Sequence, residues 1–409
     1  MKAWKVGGAV RDALLGRPDS DVDWVVTGTT PEAMRAAGYL PVGRDFPVFL
    51  HPVTKQEYAL ARTERKTAPG YHGFVFHTAA DVTLEDDLAR RDLTINAMAQ
   101  DECGTVIDPH GGQRDLQARL LRHVSPAFAE DPVRILRVAR FAARLEGFQV
   151  APETQALMCG MVTAGEVDAL VAERVWQELS RGLMEAQPSR MFEVLHDCGA
   201  LARLLPEIDA EWRTGAHTAL RCAIDLAAQR EAPLAVRFAV LVHRLGQGAS
   251  GEVRPSTGSA TTTDSALQAM HVLCVRWRIP ADCRDVAEGV LREHSAVLRG
   301  DTMNAESLVA LLSRCDAWRR PERFAQMLQA CEVVMQAKAR ATGAESFDTT
   351  QANSLTRLRQ ALSKAATVDA GAVAQRAAQR GLRGPDIGAA VHAARVSAVA
   401  DIPQSEPED

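Results

Sequence analysis

Short apolar runs alternate with short amphipathic segments over residues 1–120. The runs DWVVTG, FPVFLH, EYALAR and TVIDP are typical of β-strands, whereas PEAMRAAG and the segment after RRDLT are typical of helices. Because strands and helices of this length are mixed along the chain, we predict a small α/β domain, the head, at residues 1–120.

The pattern changes after residue 120, where apolar residues recur only at helical spacing. Segments such as PVRILRVARFAARLEGF and ERVWQELSRGLMEA predict a helical neck and body at residues 121–205. More helices follow at residues 206–330, interrupted at 246–265 by a Gly/Ser/Thr-rich stretch with the composition of a flexible loop. Residues 331–409 predict C-terminal helices and an acidic, disordered end, DIPQSEPED. The predicted fold class is α+β, with an α/β head followed by a long all-helical body.

The composition of the 409 residues is that of a globular protein, with 46% hydrophobic and 24% charged residues. No apolar run approaches the ~18 residues that cross a bilayer, so we expect no membrane association. The start MKAWKVGGAV lacks the apolar core of a secretory signal, which predicts a cytoplasmic protein. The eight cysteines occur singly, without a C-x-x-C pair, which argues against a zinc cluster and a disulfide framework.

The basic residues are unevenly divided between the two types. The net charge of −5 gives no global sign of nucleic-acid binding, yet the chain has 41 arginines and only six lysines. Arginine suits phosphates and base edges because its planar fork donates several hydrogen bonds at once. The placement of the arginines therefore decides what they indicate.

The first candidate site is VGGAVRDALLGRPDSDVDWVV, residues 6–26. Gly7 and Gly8 can bring backbone N–H groups close to an anion, and Arg11 falls on the first turn of the predicted helix that follows. Asp21 and Asp23 share one face of a predicted strand, where their mutual repulsion favours a divalent cation. An ordinary turn and a solvated strand end remain the alternative for each feature alone.

Two further segments carry charged residues ahead of, or along, a predicted helix. RRDLTINAMA, residues 90–99, places Asp92 and Asn96 one helical turn apart, as a capped surface helix also would. EDPVRILRVARFAARL, residues 130–145, predicts a helix capped near Asp131. Arg137, Arg140 and Arg144 have no acidic residue at i±4, and together with Arg134 they share one face, so we expect the four arginines to bind an anion.

In their order and spacing, VGGAVRD with DVD, RRDLTINA, IDPHGGQRDL, EDPVRILRVARFAARL and ERVWQELSRGL resemble the motifs of class II tRNA nucleotidyltransferases, the CCA-adding enzymes. The match covers residues 1 to about 210, and GRDFPVFLHP and HVSPAFAEDP favour the bacterial multifunctional branch. The resemblance implies a polymerase-β-like head and template-independent addition of CCA to tRNA from CTP and ATP, with pyrophosphate released.

The resemblance also implies roles for single residues. It assigns Mg²⁺ to Asp21 and Asp23, and Glu57 in QEYALAR is the candidate for a third carboxylate. It assigns nucleotide contacts to three groups of residues: Gly8 and Arg11 for the triphosphate; Arg91 and Asp92 for sugar and phosphates; and Asp131, Arg134, Arg137 and Arg140 for the base and neighbouring atoms.

Base choice follows from donors and acceptors. Cytosine and adenine each place an amino donor beside a ring-nitrogen acceptor, which fits a carboxylate next to a guanidinium such as Asp131 and Arg134. Uracil and guanine present the reverse order, and each unmade buried hydrogen bond costs about 1–3 kcal/mol. The order of C before A does not follow from this pair.

Multifunctional members of the family also carry a metal-dependent HD phosphohydrolase domain. Here His217 and His243 are present, but Arg244 stands where the pattern needs an aspartate, and only His294 follows in REHSAV. A guanidinium at that position would repel a metal ion. We therefore expect a degenerate HD-like domain at residues 206–330 without phosphohydrolase activity.

Two alternatives to complete CCA addition stay open at this point. A poly(A) polymerase, or an enzyme that adds only CC or only A, would share the head motifs. A catalytically silent RNA-binding module would show a broken carboxylate pair or nucleotide helix, and both are intact in this sequence. The expected partners are tRNA, ATP and CTP, and the expected state is a monomer or a homodimer.

Overall fold

The computed structural model describes residues 1–17, 22–42, 48–66, 74–213, 217–245, 262–342 and 349–404. The chain divides into two compact units, Met1–Leu204 and Leu205–Asp409. Each unit is described by itself below. The finer boundaries near residues 120 and 330 stay predictions.

All the strands that the structure describes lie in the first unit. Their bounds are β1 (Lys2–Val6), β2 (Asp23–Thr27), β3 (Leu40–Val42), β4 (Val48–Leu50), β5 (Glu57–Leu60), β6 (Thr63–Lys66), β7 (Phe74–His77), β8 (Ala99–Gln100), β9 (Val106–Ile107), β10 (Leu120–Leu121) and β11 (Gln149–Val150). Seven of the described strands form a mixed sheet in the order β3-β4-β5-β2-β1-β8-β9, in which β2 and β5 run parallel. The pairs β6–β7 and β10–β11 form small separate sheets.

Both faces of the large sheet are covered. Successive residues of β2 point to opposite faces, so Val25 joins a core cluster with Val6 and Leu88, while Val26 joins another with Met34. This double burial explains why DWVV reads as a continuous apolar run rather than as an alternating one. The strands predicted from DWVVTG, FPVFLH, EYALAR and TVIDP correspond to β2, β4, β5 and β9.

Helices of the first unit follow and flank this sheet. Their bounds are α1 (Gly8–Leu14), α2 (Pro31–Ala36), α3 (Leu84–Ala89), α4 (Gly112–Gln117), α5 (Val133–Arg144), α6 (Pro152–Thr163), α7 (Ala172–Leu183), α8 (Pro188–Asp197) and α9 (Ala200–Leu204). Helix α5 packs against α7 and α8. A mixed α/β head followed by a helical body is thus the architecture of this unit, as the sequence predicts.

One predicted helix is wrong. The segment after RRDLT forms a short 3₁₀ turn, Thr94–Asn96, and then enters β8. Ala99 pairs with Val6 of β1, and the carbonyl of Met98 accepts a hydrogen bond from Gly7. Pairing with the sheet overrides the local helical pattern at this point.

All elements of the second unit that the structure describes are helices. They are α10 (Pro206–Trp212), α11 (His217–Gln229), α12 (Leu234–Val242), α13 (Thr262–Arg276), α14 (Ala281–Leu298), α15 (Ala305–Arg314), α16 (Pro321–Ala341), α17 (Thr349–Ala366), α18 (Ala370–Gln379) and α19 (Pro385–Val399). Helices α11, α12, α14 and α16 pack together. In the described part of the chain, no helix is both long enough and apolar enough to span a membrane.

Candidate active site

The register of the sheet places acidic residues at one end of it. Asp23 pairs with Val6, so it lies beside the glycine pair that follows β1. Trp24 pairs with Tyr58 on the parallel strand β5, and their rings stack with centroids 5.3 Å apart. Because neighbouring residues of a strand alternate between faces, Asp23 and Glu57 both lie on the face of the sheet opposite to Trp24 and Tyr58. Asp21 is outside the described residues.

A cavity of about 610 Å³ lies at this end of the first unit. Nine of the predicted site residues line it: Gly8, Arg11, Asp23, Arg91, Asp92, Asp131, Arg134, Arg137 and Arg140. Glu57 is exposed and is not among the lining residues. Ten arginines and four acidic residues line the cavity, so its walls carry a strong excess of positive charge.

Three of the four α5 arginines have acidic partners, which the lack of acidic residues at i±4 did not predict. Each partner comes from another element instead of from the same helix: Arg137 Nε lies 2.7 Å from Asp92 Oδ2, Arg140 Nε lies 2.6 Å from Glu178 Oε2, and Arg144 Nη2 lies 3.0 Å from Asp12 Oδ2. Spacing along one helix cannot reveal partners that the tertiary fold supplies. The carboxylates fix the arginines around the cavity.

Arg11 is held on several sides. Its side chain is buried, its Nε donates to Asp12 Oδ1 at 2.8 Å, and its Nη1 donates to Asn96 Oδ1 at 2.6 Å. Asn96 in turn donates to Asp92 Oδ1 at 3.1 Å. The contact of Asp92 with Asn96 therefore exists, although the segment between them is not the predicted helix.

Asp92 is a buried carboxylate that remains charged. Burial by itself would raise the pKa of Asp92, but the Arg137 guanidinium and the hydrogen bond from Asn96 hold that pKa well below its usual range. Asp92 correspondingly raises the pKa of Arg137. Asp92 and Arg137 therefore form an ion pair at neutral pH.

The carboxylate of Asp131 is oriented by α7. Arg174 Nη1 and Nη2 donate to Asp131 Oδ1 and Oδ2 at 3.0 and 2.7 Å, and the backbone N–H of Val133 donates to Oδ1 at 3.2 Å. The bidentate geometry fixes the plane of the carboxylate. Among the hydrogen bonds of the described residues, Oδ2 accepts only one, which leaves it an acceptor position.

The guanidinium of Arg134 is fixed by backbone carbonyls. Its Nη1 donates to Ala127 O at 3.0 Å and its Nη2 donates to Arg90 O at 2.6 Å. Both members of the predicted base-reading pair are thus oriented in the free protein, each by a different element.

Gly7 shapes the site through its backbone conformation, not through the anion contact predicted for its N–H group. That N–H donates to Met98 O at 3.2 Å, so it is used within the sheet. Gly7 has a φ of +66°, and a Cβ at this position would lie 2.8 Å from Arg91 Nη1. Glycine is required here because the backbone is left-handed and an arginine packs directly against it.

Sequence reasoning missed four residues that organise the cavity: Asp12, Asp87, Arg174 and Glu178. Asp12, Arg174 and Glu178 stand in motifs that had been singled out, VGGAVRD and ERVWQELSRGL. The available signal was charge balance, because buried arginines need carboxylates close by.

The residues expected in an HD domain are arranged differently in the second unit. His243 Nδ1 lies 2.6 Å from Val240 O, and burial lowers the pKa of His243 to about 3. The neighbouring Arg244 lies 3.5 Å from Glu211, with which it forms an ion pair. Among the described residues, no three His, Cys, Asp or Glu side chains form a cluster that could hold a metal ion. The predicted lack of phosphohydrolase activity stays a prediction.

Comparison with known proteins agrees with this architecture. Residues 3–122 match the family model described as the poly A polymerase head domain. Residues 147–211 match the one described as a probable RNA and SrmB-binding site of polymerase A. Fold and site together define a nucleotidyltransferase with a polymerase-β-like head and a helical body.

Relatives over the full length specify the family. The multifunctional CCA protein of Leptothrix cholodnii is 60% identical over 98% of this chain and 97% of its own length. That of Cupriavidus necator is 56% identical over 98% of this chain and 99% of its own length. The chain therefore belongs to the multifunctional CCA protein family, and it is a CCA-adding nucleotidyltransferase.

Solved structures show the same likeness. The Bacillus stearothermophilus CCA-adding enzyme in complex with CTP has a TM-score of 0.65 and 27% identity, covering 97% of this chain and 88% of that one. The Thermotoga maritima CCA-adding enzyme complexed with tRNA has a TM-score of 0.60 and 18% identity, covering 99% and 88% of the two chains. At the latter identity the likeness concerns the fold.

Proposed function

We propose that the cavity of the first unit is the site at which this chain adds C, C and A to the 3′ end of tRNA from CTP and ATP, releasing pyrophosphate. The observation that carries the proposal is the meeting of Asp23, at one end of the sheet, with ten arginines in one cavity. A nucleoside triphosphate needs both features, because its phosphates are anionic and its reaction is assisted by a carboxylate-bound cation. The named relatives with CTP and with tRNA support these substrates.

The phosphates of the nucleotide are assigned to the arginine side of the cavity. Arg11 and Arg91 lie near Gly7 and Gly8, and Arg137 and Arg140 line the α5 wall. Their guanidinium groups are positioned by carboxylates and carbonyls before a ligand arrives, which lowers the entropic cost of binding. Asp92 keeps Arg137 in place and leaves acceptor capacity for a sugar hydroxyl.

Magnesium is assigned to the acidic end of the sheet. The donor set fits a hard cation, because Asp23 lines the cavity and Glu57 begins the adjacent parallel strand on the same face. Asp21, two residues before Asp23, completes the assignment from sequence. When bound, Mg²⁺ would lower the pKa of the tRNA 3′-hydroxyl and neutralise charge on the triphosphate.

Base selection is assigned to Asp131 and Arg134. The remaining acceptor position on Asp131 Oδ2 suits an exocyclic amino group, and the guanidinium of Arg134, which two backbone carbonyls orient, suits a ring-nitrogen acceptor. Cytosine and adenine form hydrogen bonds with both groups, whereas uracil and guanine place an acceptor against Asp131 and a donor against Arg134. Because tRNA and these nucleotides are cytoplasmic, the cytoplasm as the place of reaction is part of the same proposal.

The defining experiment supplies tRNA lacking its terminal trinucleotide with CTP, ATP or both. We expect two C residues with CTP alone and a complete CCA end with both nucleotides, read on a sequencing gel. Long runs of A would support a poly(A) polymerase, and addition limited to CC or to A would support a partial enzyme. Either result would refute complete CCA addition.

Asp23→Ala tests the metal assignment. We expect transfer to fall by at least about a thousandfold, since the variant removes a carboxylate that acts on the reacting groups. Binding of tRNA, measured by filter retention, is expected to stay within about twofold because docking does not use this carboxylate. Full turnover in the variant would show that Asp23 holds no essential cation.

Asp131→Ala tests base selection. We expect the preference for CTP over UTP to fall about ten- to a hundredfold, since the lost acceptor no longer penalises uracil. The measurement is kcat/KM for each nucleotide, with Asp168→Ala as a control at an exposed ion pair of the same unit. Unchanged rejection of UTP and GTP would show that another group reads the base.

A further inference from the structure

One carboxylate lies behind two of the cavity arginines. Asp87, near the end of α3, is completely buried. Its Oδ1 accepts from Arg90 Nη2 at 2.5 Å, and its Oδ2 accepts from Arg91 Nη2 at 3.1 Å. The helical spacing of three and four residues directs both side chains onto the same carboxylate. Asp87 itself is not among the residues that line the cavity, whereas both arginines are.

The two arginines lead from Asp87 to different parts of the cavity. Arg91 packs against Gly7, where a Cβ would lie 2.8 Å from its Nη1. Arg90 Nε donates to Arg62 O at 3.0 Å, and the carbonyl of Arg90 accepts the 2.6 Å hydrogen bond from Arg134. Asp87 thus anchors Arg91, which lies beside Gly7. Through Arg90, whose carbonyl accepts from Arg134, it also supports the residue assigned to the base.

The charge of Asp87 is required for this arrangement. Burial by itself would raise the pKa of Asp87, but Arg90 and Arg91 outweigh that effect and hold the pKa below its ordinary value. Each guanidinium directs its Nε and Nη2 to its own oxygen of Asp87, and a neutral side chain of the same size offers one acceptor oxygen, so it can hold only one of the two groups in this way.

We infer that Asp87 is a positioning residue for nucleotide binding, which acts by holding Arg90 and Arg91 in the orientation that receives the triphosphate. The inference rests on the proposed nucleotide site. A free arginine side chain loses rotamer freedom when it is ordered, and an anchored one has already lost it. Removing the anchor is therefore expected to weaken nucleotide binding more than it slows the bound complex.

The test compares Asp87→Asn with Asp115→Asn in the full chain. Asp115 is an equally buried carboxylate of the same unit that accepts from Arg122 and Thr94 but does not line the cavity. We expect Asp87→Asn to raise KM for CTP and ATP about tenfold with kcat changed less than about threefold. Asp115→Asn is expected to lower only the folded fraction, with KM unchanged.

A purely structural role for Asp87 predicts the same behaviour as Asp115. An unchanged KM in Asp87→Asn would therefore overturn the inference. If that variant does not fold, Asp87→Glu keeps the charge and displaces the carboxylate, and an unchanged KM in Asp87→Glu would overturn it equally.

A second comparison tests whether Asp87 acts through the arginines. In the background Arg90→Gln with Arg91→Gln, the further change Asp87→Asn is expected to leave KM within about twofold. A further tenfold rise would contradict the inference. Failure of the wild-type chain to transfer any nucleotide would instead refute the proposed function, so the two failures are distinct.

Discussion

At the scale of single residues, the cavity neutralises much of its own charge. Asp12, Asp92 and Glu178 each hold an arginine of α5, and Arg174 holds Asp131. A nucleotide that enters must share these arginines with the carboxylates. The pairs hold the arginines in place but weaken their attraction for an anion, and the excess of ten arginines over four acidic residues in the lining supplies the net positive field.

Gly7→Ala is the prediction at this scale. The variant is expected to lose about 1–2 kcal/mol of stability from its left-handed backbone and to raise KM for CTP, because the new Cβ displaces Arg91. Gly16→Ala is the matched control, since its φ of +69° is similar but nothing lies within 4 Å of its Cβ. Urea unfolding and initial rates measure the two effects. Equal KM values in both variants would show that the contact between residue 7 and Arg91 does not affect nucleotide binding.

At the scale of elements, α5 serves two purposes on two faces. Ile135, Leu136 and Ala139 are completely buried in the body, whereas Arg137 and Arg144 face the cavity. Stability and nucleotide binding are therefore separable along one helix.

A pair of variants on α5 tests this separation. Leu136→Ala is expected to lower the free energy of unfolding by about 2–5 kcal/mol while KM per folded molecule stays unchanged. Arg144→Gln is expected to change stability by less than about 1 kcal/mol, because Asp12 keeps its contact with Arg11, and to raise KM severalfold. Denaturation gives the free energy of unfolding of both variants, and steady-state kinetics give their KM. A loss of stability in Arg144→Gln together with a raised KM in Leu136→Ala would contradict the assignment of the two functions to two faces of α5.

Elements with a strong pattern could be predicted from the sequence, and elements that depend on distant partners could not. Helix α5 follows its helical periodicity, and strands β2 and β5 coincide with their short apolar runs. The segment after RRDLT does not, because Ala99 is recruited by Val6 from far along the chain. In the cavity, the motif arginines were predictable, but Asp87 was not, since only the fold shows which carboxylate lies behind them.

At the scale of the whole molecule, the two units differ in how they use ionisable groups. The first unit surrounds its cavity with ion pairs. In the second unit, His243 is half-buried, and its burial together with the neighbouring His294 and Arg244 lowers its pKa and disfavours its protonation. The two residues of the predicted HD-like motif contact the protein itself, His243 the carbonyl of Val240 and Arg244 the carboxylate of Glu211.

Acid sensitivity of the second unit follows from His243. Its pKa is about 3 in the folded chain against an ordinary 6.5, so the unfolded chain binds the extra proton between these values. Stability is therefore complete above pH 6.5 and falls as the pH drops toward 3. In His243→Gln, we expect a shallower loss of urea midpoint between pH 7 and 4 than in the wild type. His271→Gln, at a partly exposed position of the same unit, is the control, and equal slopes in all three proteins would contradict the account.

The strand order of the head has a consequence for how it folds. Strand β1 lies between β2, which follows it closely, and β8, whose Ala99 is about ninety residues from Val6 along the chain. Contacts of high sequence separation form slowly, because a long loop must close before they are rewarded. The pairing of Val6 and Gly7 with Met98 and Ala99 closes a much longer loop than the pairing of β1 with β2, so we expect the part of the cavity beside Gly7 to form after β1 and β2 have paired.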